Sequence, residues 1–195
     1  TASKLPSDPY ERVRLFAGTP DFLWIDRDLM PAAHAWVMTG LLDDAASDGL
    51  DRDDYALGEI ARRFEELAAA PARSRDDDRL FAVDRLLTES SLRFLRDLHL
   101  GRIDPARAHR DVRLPVRTFD AQALLADALR SGSVSRLRER AAPQVPMYGR
   151  LRKALADYRS IAASPVPLPG IPPLPAPGKV QPGEQWEGVP ALSQV

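Results

Sequence analysis

Apolar positions recur at helical spacing through most of the first 163 residues, and they group into separate helices. The first helix is predicted over residues 8–17: Ser7 or Asp8 can cap it, Pro9 suits its first turn and Gly18 can end it. The apolar stretch Phe22-Leu23-Trp24-Ile25 is too short for periodicity to decide between a brief strand and a buried extended segment. A second helix is predicted over 29–47, with Pro31 near its start and Ala33, Val37, Leu41 and Ala45 four apart on one face. Gly49 supplies the left-handed residue that stops it. Asp51 or Asp53 then caps a helix reaching about residue 70. Its stripe is Leu57, Ile60, Phe64 and Leu67, with Arg62, Arg63, Glu65 and Glu66 turned to water.

The longest helix opens at Asp76-Asp77-Asp78, whose carboxylates answer the positive end of the helix dipole, and runs to about residue 100. Its apolar set Leu80, Val83, Leu87, Phe94 and Leu98 is joined by a second, Phe81, Leu86, Leu92 and Leu95. Two apolar faces on one helix place it at the centre of a bundle. Gly101 ends it, and Asp104-Pro105 starts a short turn or helix. The alternation of Val112, Leu114 and Val116 around Pro115 predicts an extended connection over 110–117, not a sheet strand. Asp120 caps a helix carrying Leu124, Leu125 and Leu129, stopped at Ser131-Gly132, and a short helix follows over 134–141. The last helix covers 146–163, with Tyr148, Leu151, Leu155 and Tyr158 on one side.

From Ser164 the pattern changes, with prolines at Pro165, Pro167, Pro169, Pro172, Pro173, Pro175, Pro177 and Pro182. Such a segment forms neither helix nor central strand and favours extended polyproline conformation. The fold class is therefore mainly α: a compact multi-helix bundle with short extended segments and a C-terminal proline-rich tail. A helical domain is expected over 1–163 and a linker over 164–195.

Composition narrows the function. A hydrophobic fraction of 44% supports a real core. The 27 basic and 28 acidic residues leave a net charge of -1, which supplies no long-range field to gather nucleic acid or anionic lipid. Cysteine is absent, which removes disulfides, thiolate metal sites and cysteine nucleophiles together. No apolar stretch is long enough to cross a bilayer. Thr1-Ala2-Ser3-Lys4 lacks the apolar core of a signal peptide.

The candidate chemistry is sparse. His34, His99 and His109 stand on different predicted elements without metal-ligand spacing, so no metal site is predicted. The acidic runs 51–54 and 76–78 read as helix caps in preference to cation sites or acid–base pairs. Ser90 and Ser91 have no nucleophile-elbow surroundings and read as small residues at a close helix contact. Arg136, Arg138, Arg140, Arg150, Arg152 and Lys153 read as solvated helix faces, Trp24 and Trp36 as core anchors.

Several ordered signatures stand out: Phe22-Leu23-Trp24 ahead of a helix; Asp48-Gly49-Leu50 leading to Tyr55; Asp84-Arg85-Leu86-Leu87-Thr88-Glu89; Asp97-Leu98-His99-Leu100-Gly101-Arg102; and Pro146-Met147-Tyr148-Gly149-Arg150-Leu151-Arg152 continuing to Tyr158. In this order they resemble the N-terminal scaffold domain of large multi-domain bacterial L,D-transpeptidases, which cross-link peptidoglycan. The likeness runs from about Tyr10 to Leu192. It singles out Trp24, Gly49, Leu50, Tyr55, Leu87, Thr88, Asp97, Gly101, Arg102, Tyr148, Leu151, Arg152 and Tyr158 as structural signature residues. Pro182-Gly183 and Val189-Pro190-Ala191-Leu192 resemble the entry to that family's peptidoglycan-binding module.

The resemblance implies a periplasmic parent enzyme, an acyltransferase whose catalytic cysteine lies beside a His-Gly pair. With no cysteine here, no catalytic residue carries over, and neither cofactor nor metal is expected. The implied partners are the catalytic and peptidoglycan-binding domains of the same parent, with peptidoglycan or cell-wall synthesis proteins as further possibilities. Nucleic acid and a membrane span are not among them. The competing expectation is a stand-alone helical adaptor for a cell-wall synthesis partner. A weaker one is a glycan-cleaving enzyme working through Asp or Glu.

Overall fold

Helix-starting side chains set the frame. In the computed structural model, which describes residues 5–19, 21–71, 76–103, 118–163, 170–175 and 178–192, Asp8 accepts from Tyr10 N–H and opens α1, Pro9–Ala17. Asp76 accepts from Arg79 N–H ahead of α4, Asp77–Leu100, and Asp120 from Ala123 N–H ahead of α5, Ala121–Arg130. These are the three caps that the sequence predicts, Asp76 from an acidic run and Asp8 and Asp120 as single residues. Between them lie α2, Ala33–Asp43, and α3, Leu57–Ala69. A short α6, Leu137–Ala141, and the long α7, Pro146–Ala163, follow α5. One helical turn, α8, Val189–Leu192, lies in the tail. Among the described residues there is no strand, only an isolated antiparallel bridge between Ile25 and Pro31. The fold is mainly helical.

The chain divides into two compact units, Thr1–Arg152 and Lys153–Val195. In the first, α4 is central: α1, α2, α3, α5 and α6 all pack on it. Leu80, Val83, Leu87, Phe94 and Leu98 are buried on it, and Leu92 and Leu95 of the second apolar set are buried too. Phe94 meets Tyr55 edge-to-face at 5.5 Å. Such burial of large side chains contributes roughly 1.5–3 kcal/mol each. In the second unit, Trp186 Nε1 donates to Pro173 O over 3.3 Å, so the tail folds on its own tryptophan.

Several local expectations change. The predicted helix 29–47 is shorter: Leu29 lies in the left-handed region, α2 begins at Ala33, and residues Asp44–Asp48 tighten into a 3₁₀ turn. The buried face of α2 is Ala35, Met38 and Leu42, continued by Ala45 in the 3₁₀ turn, whereas Ala33 and Val37 are exposed. Apolar residues stand on the exposed as well as the buried side of this helix, Trp36 and Val37 among them, so periodicity alone does not select the face. Trp36 is a related correction: it is 54% exposed and lies edge-on to Phe64 at 5.0 Å. The predicted helix 51–70 is split. Arg52–Tyr55 is 3₁₀, and Ala56, at φ 51°, turns the chain before α3. The expected turn at Asp104-Pro105, the connection 110–117 and His109 lie outside the described residues.

Candidate functional site

The polar groups of the first unit gather into three knots around α4. The first is built on Asp84, fully buried on the stripe shared with Leu80 and Leu87. Its Oδ1 accepts from Trp24 N–H at 2.6 Å; its Oδ2 accepts from Leu23 N–H at 3.0 Å and Tyr10 O–H at 2.8 Å. A turn later, Thr88 Oγ1 accepts from Trp24 Nε1 at 2.9 Å and donates to Asp84 O. The amides of Leu23 and Trp24 are therefore both satisfied by one carboxylate, while the Trp24 carbonyl accepts from Ala32 N–H at 2.8 Å. Burial pushes the Asp84 carboxyl above its ordinary value of 3.8, and the three hydrogen bonds pull back without offsetting it. Burial, then the charge of Asp84, pushes the Tyr10 phenol well up.

The second knot closes the C-terminal end of α4. Tyr55, fully buried, donates to Asp97 Oδ2 at 3.2 Å, and Arg102 pairs with Asp54 at 2.7 Å. Gly101 allows this corner: its φ of 83° and ψ of 159° lie where essentially only glycine sits. Gly101→Ala is expected to lower stability by about 1–3 kcal/mol through backbone strain alone. A Cβ there meets nothing within 4 Å. Thermal denaturation checks this, and an unchanged midpoint would refute it.

The third knot surrounds Asp48, whose side chain is wholly enclosed. Oδ1 accepts from Tyr148 O–H at 2.6 Å and pairs with Arg152 Nε at 2.8 Å; Oδ2 lies 3.0 Å from Arg138 Nε. Arg138 also reaches Asp44 Oδ2 and donates to Asp44 O. Gly49, at φ 77°, releases the chain from this turn. Burial, then the Asp48 hydrogen bond, raises the Tyr148 phenol.

The signature residues thus fall into two groups. Trp24, Leu87 and Thr88 form the first knot and its core; Tyr55, Asp97, Gly101 and Arg102 the second; Gly49, Tyr148 and Arg152 the third, with Leu50 half-buried against the core. Leu151 and Tyr158 are not drawn in: they are 61% and 73% exposed on α7, which buries no residue. Arg138 and Arg152, read above as solvated, instead hold Asp48.

The histidines also serve the backbone. His34 Nε2 donates to Leu23 O at 2.7 Å, and His99 Nδ1 donates to Ala141 O at 2.8 Å. His99 stacks on Phe119 at 4.1 Å. Ser91 Oγ donates to Leu87 O within its own helix. Among the described residues no cluster of side chains could hold a metal ion, and no helix is long and apolar enough to cross a membrane.

Among the described residues these polar groups knit helices together. Residues 17–155 match the family described as the Scaffold domain, and the chain belongs to that family. Membership indicates a non-catalytic role. No curated protein and no solved structure matches the chain.

Proposed function

We propose that this chain is the scaffold module of an L,D-transpeptidase. It holds the catalytic and peptidoglycan-binding regions of the same protein in place in the periplasm and takes no part in acyl transfer. Membership of the Scaffold domain family carries the reading. Two further features support it. The signature residues do packing and hydrogen-bonding work at the three knots. The thioester route needs a thiolate, and the chain has no cysteine.

The test is intact-mass spectrometry of the purified chain after incubation with a carbapenem, beside an assay of cross-linking on a tetrapeptide substrate. The expected result is an unchanged mass and no product; a covalent adduct would overturn the assignment. The exposed Trp36 and Val37 on α2 favour a second reading, a stand-alone helical adaptor for a cell-wall synthesis partner. Reading the gene past Val195 separates the two. An in-frame region with a His-Gly pair and a cysteine is expected for the scaffold, a stop codon for the adaptor.

A further inference from the structure

We propose that a cleft beside the C-terminal half of α4 binds an acidic peptide through Arg12, Arg93 and Arg96; this stands independently of the transpeptidase reading. The cleft has a volume of about 1300 Å³ and is bounded by α1, one face of α4 and the segment leading into α5. Arg93 and Arg96 are three apart on α4 and share its outer face, and Arg12 faces them from α1.

The carboxylates around this cleft are already engaged. Asp54 pairs with Arg102 at 2.7 Å, and Glu89 with Arg85 at 2.8 Å. Asp97 accepts from Tyr55, and Asp120 caps α5 through Ala123 N–H. The three guanidinium groups have no counter-charge: among the described residues none pairs with a carboxylate, Arg12 lies 6.0 Å from the centre of the Phe16 ring, and Arg93 donates only to a backbone carbonyl, Asp54 O, at 3.3 Å.

A guanidinium offers a planar fork of donors that fits a carboxylate with two parallel hydrogen bonds. Among the described residues the charges lining the cleft balance, so attraction is short-ranged and depends on that geometry more than on a field. The volume exceeds what one small anion fills, and Leu92, Leu100 and Phe119 line it between the arginines. Successive carboxylates carried on aliphatic stems match both features, which points to a short peptide of acidic side chains.

The test is an NMR titration of the isotope-labelled chain with a hexaglutamate peptide, hexaglutamine and inorganic phosphate. Hexaglutamate is expected to give saturable shifts at the amides of residues 89–102 and 118–122, weakened by added salt. Arg93→Gln with Arg96→Gln should weaken binding at least about tenfold, equivalent to about 1.4 kcal/mol. Arg62→Gln, on α3, should leave it unchanged. The wild-type shift map tests the site even if the double variant folds poorly. The proposal is overturned by absent or scattered shifts, by equal binding of hexaglutamine, or by a double variant that binds normally. It is equally overturned if phosphate saturates the same amides as tightly as the peptide, since the cleft would then be a simple oxyanion site.

Discussion

Asp84→Ala is expected to lower the unfolding free energy by about 3–5 kcal/mol, read as a shifted urea midpoint with little change in slope. The carboxylate is the common acceptor for Leu23 N–H, Trp24 N–H and Tyr10 O–H. Removing it leaves two backbone donors and a phenol inside the core, and each unsatisfied group costs about 1–3 kcal/mol. The extended segment carrying Trp24 then loses its attachment to α4, and Trp24 is one of the largest fully buried side chains. Tyr10→Phe removes one donor and leaves the other two satisfied, so its cost is about 1 kcal/mol. If the two variants cost the same, Asp84 is not the organising acceptor.

The same carboxylate predicts a pH dependence. Its folded-state value is raised above 3.8. A raised group contributes stability that is fully present below the unfolded value and is lost as pH rises through the folded one. Asp84→Asn has no such titration. The stability gap between the wild type and Asp84→Asn is therefore widest in acid, below 3.8, and narrows toward neutrality. Asp8, Asp44 and Asp127 have depressed carboxyls and act in the opposite sense, but they do so equally in both proteins and cancel in the difference. Paired urea titrations across this range check the sign. A gap that widens with rising pH would mean that the three hydrogen bonds outweigh burial.

What was legible in the sequence was mostly local. Pro9, Gly18, Asp76 and Asp120 mark helix ends because a cap is a contact between near neighbours, and α7 begins and ends where its pattern does. The two apolar faces of α4 predict its central place because burial on both sides leaves no other arrangement. The breaks at Asp44–Asp48 and Arg52–Tyr55 were not legible, since 3₁₀ and α turns share nearly the same side-chain spacing. The role of Asp84 does leave a signal in the sequence: a carboxylate four residues after Leu80 and three before Leu87 sits on a buried stripe, and it needs donors there. Which donors it finds depends on residues about sixty and seventy-four positions away in the chain, and no spacing rule reaches that far. The signature residues were legible as a set, but not the distinction between those that tie knots and the exposed Leu151 and Tyr158.

The start of α7 gives the other large expected effect. No residue of this helix is fully buried, and in its first-unit part only Tyr148 packs, half-buried, against the core, so an apolar stripe does not dock its start. Its first two turns are instead held by Tyr148 and Arg152 on the enclosed carboxylate of Asp48, which also carries Arg138 from α6. Asp48→Ala leaves Arg152 without its counter-charge and Arg138 with Asp44 alone, and breaking a buried pair costs about 3–5 kcal/mol. Arg152 is 39% exposed, so water screens part of that loss and the expected value is near the lower bound, about 3 kcal/mol. Asp48→Asn keeps the shape and removes the charge, and it should recover less than half of the loss if the ion pairs dominate. The effect should also be local: amide hydrogen exchange at residues 147–152 should accelerate beyond the change set by global stability. A double-mutant cycle isolates the contact. Tyr148→Phe is expected to cost about 1 kcal/mol in the wild type and close to nothing once Asp48 is alanine. Equal costs in the two backgrounds, or unchanged exchange at the start of α7, would show that the helix is docked by something other than this carboxylate.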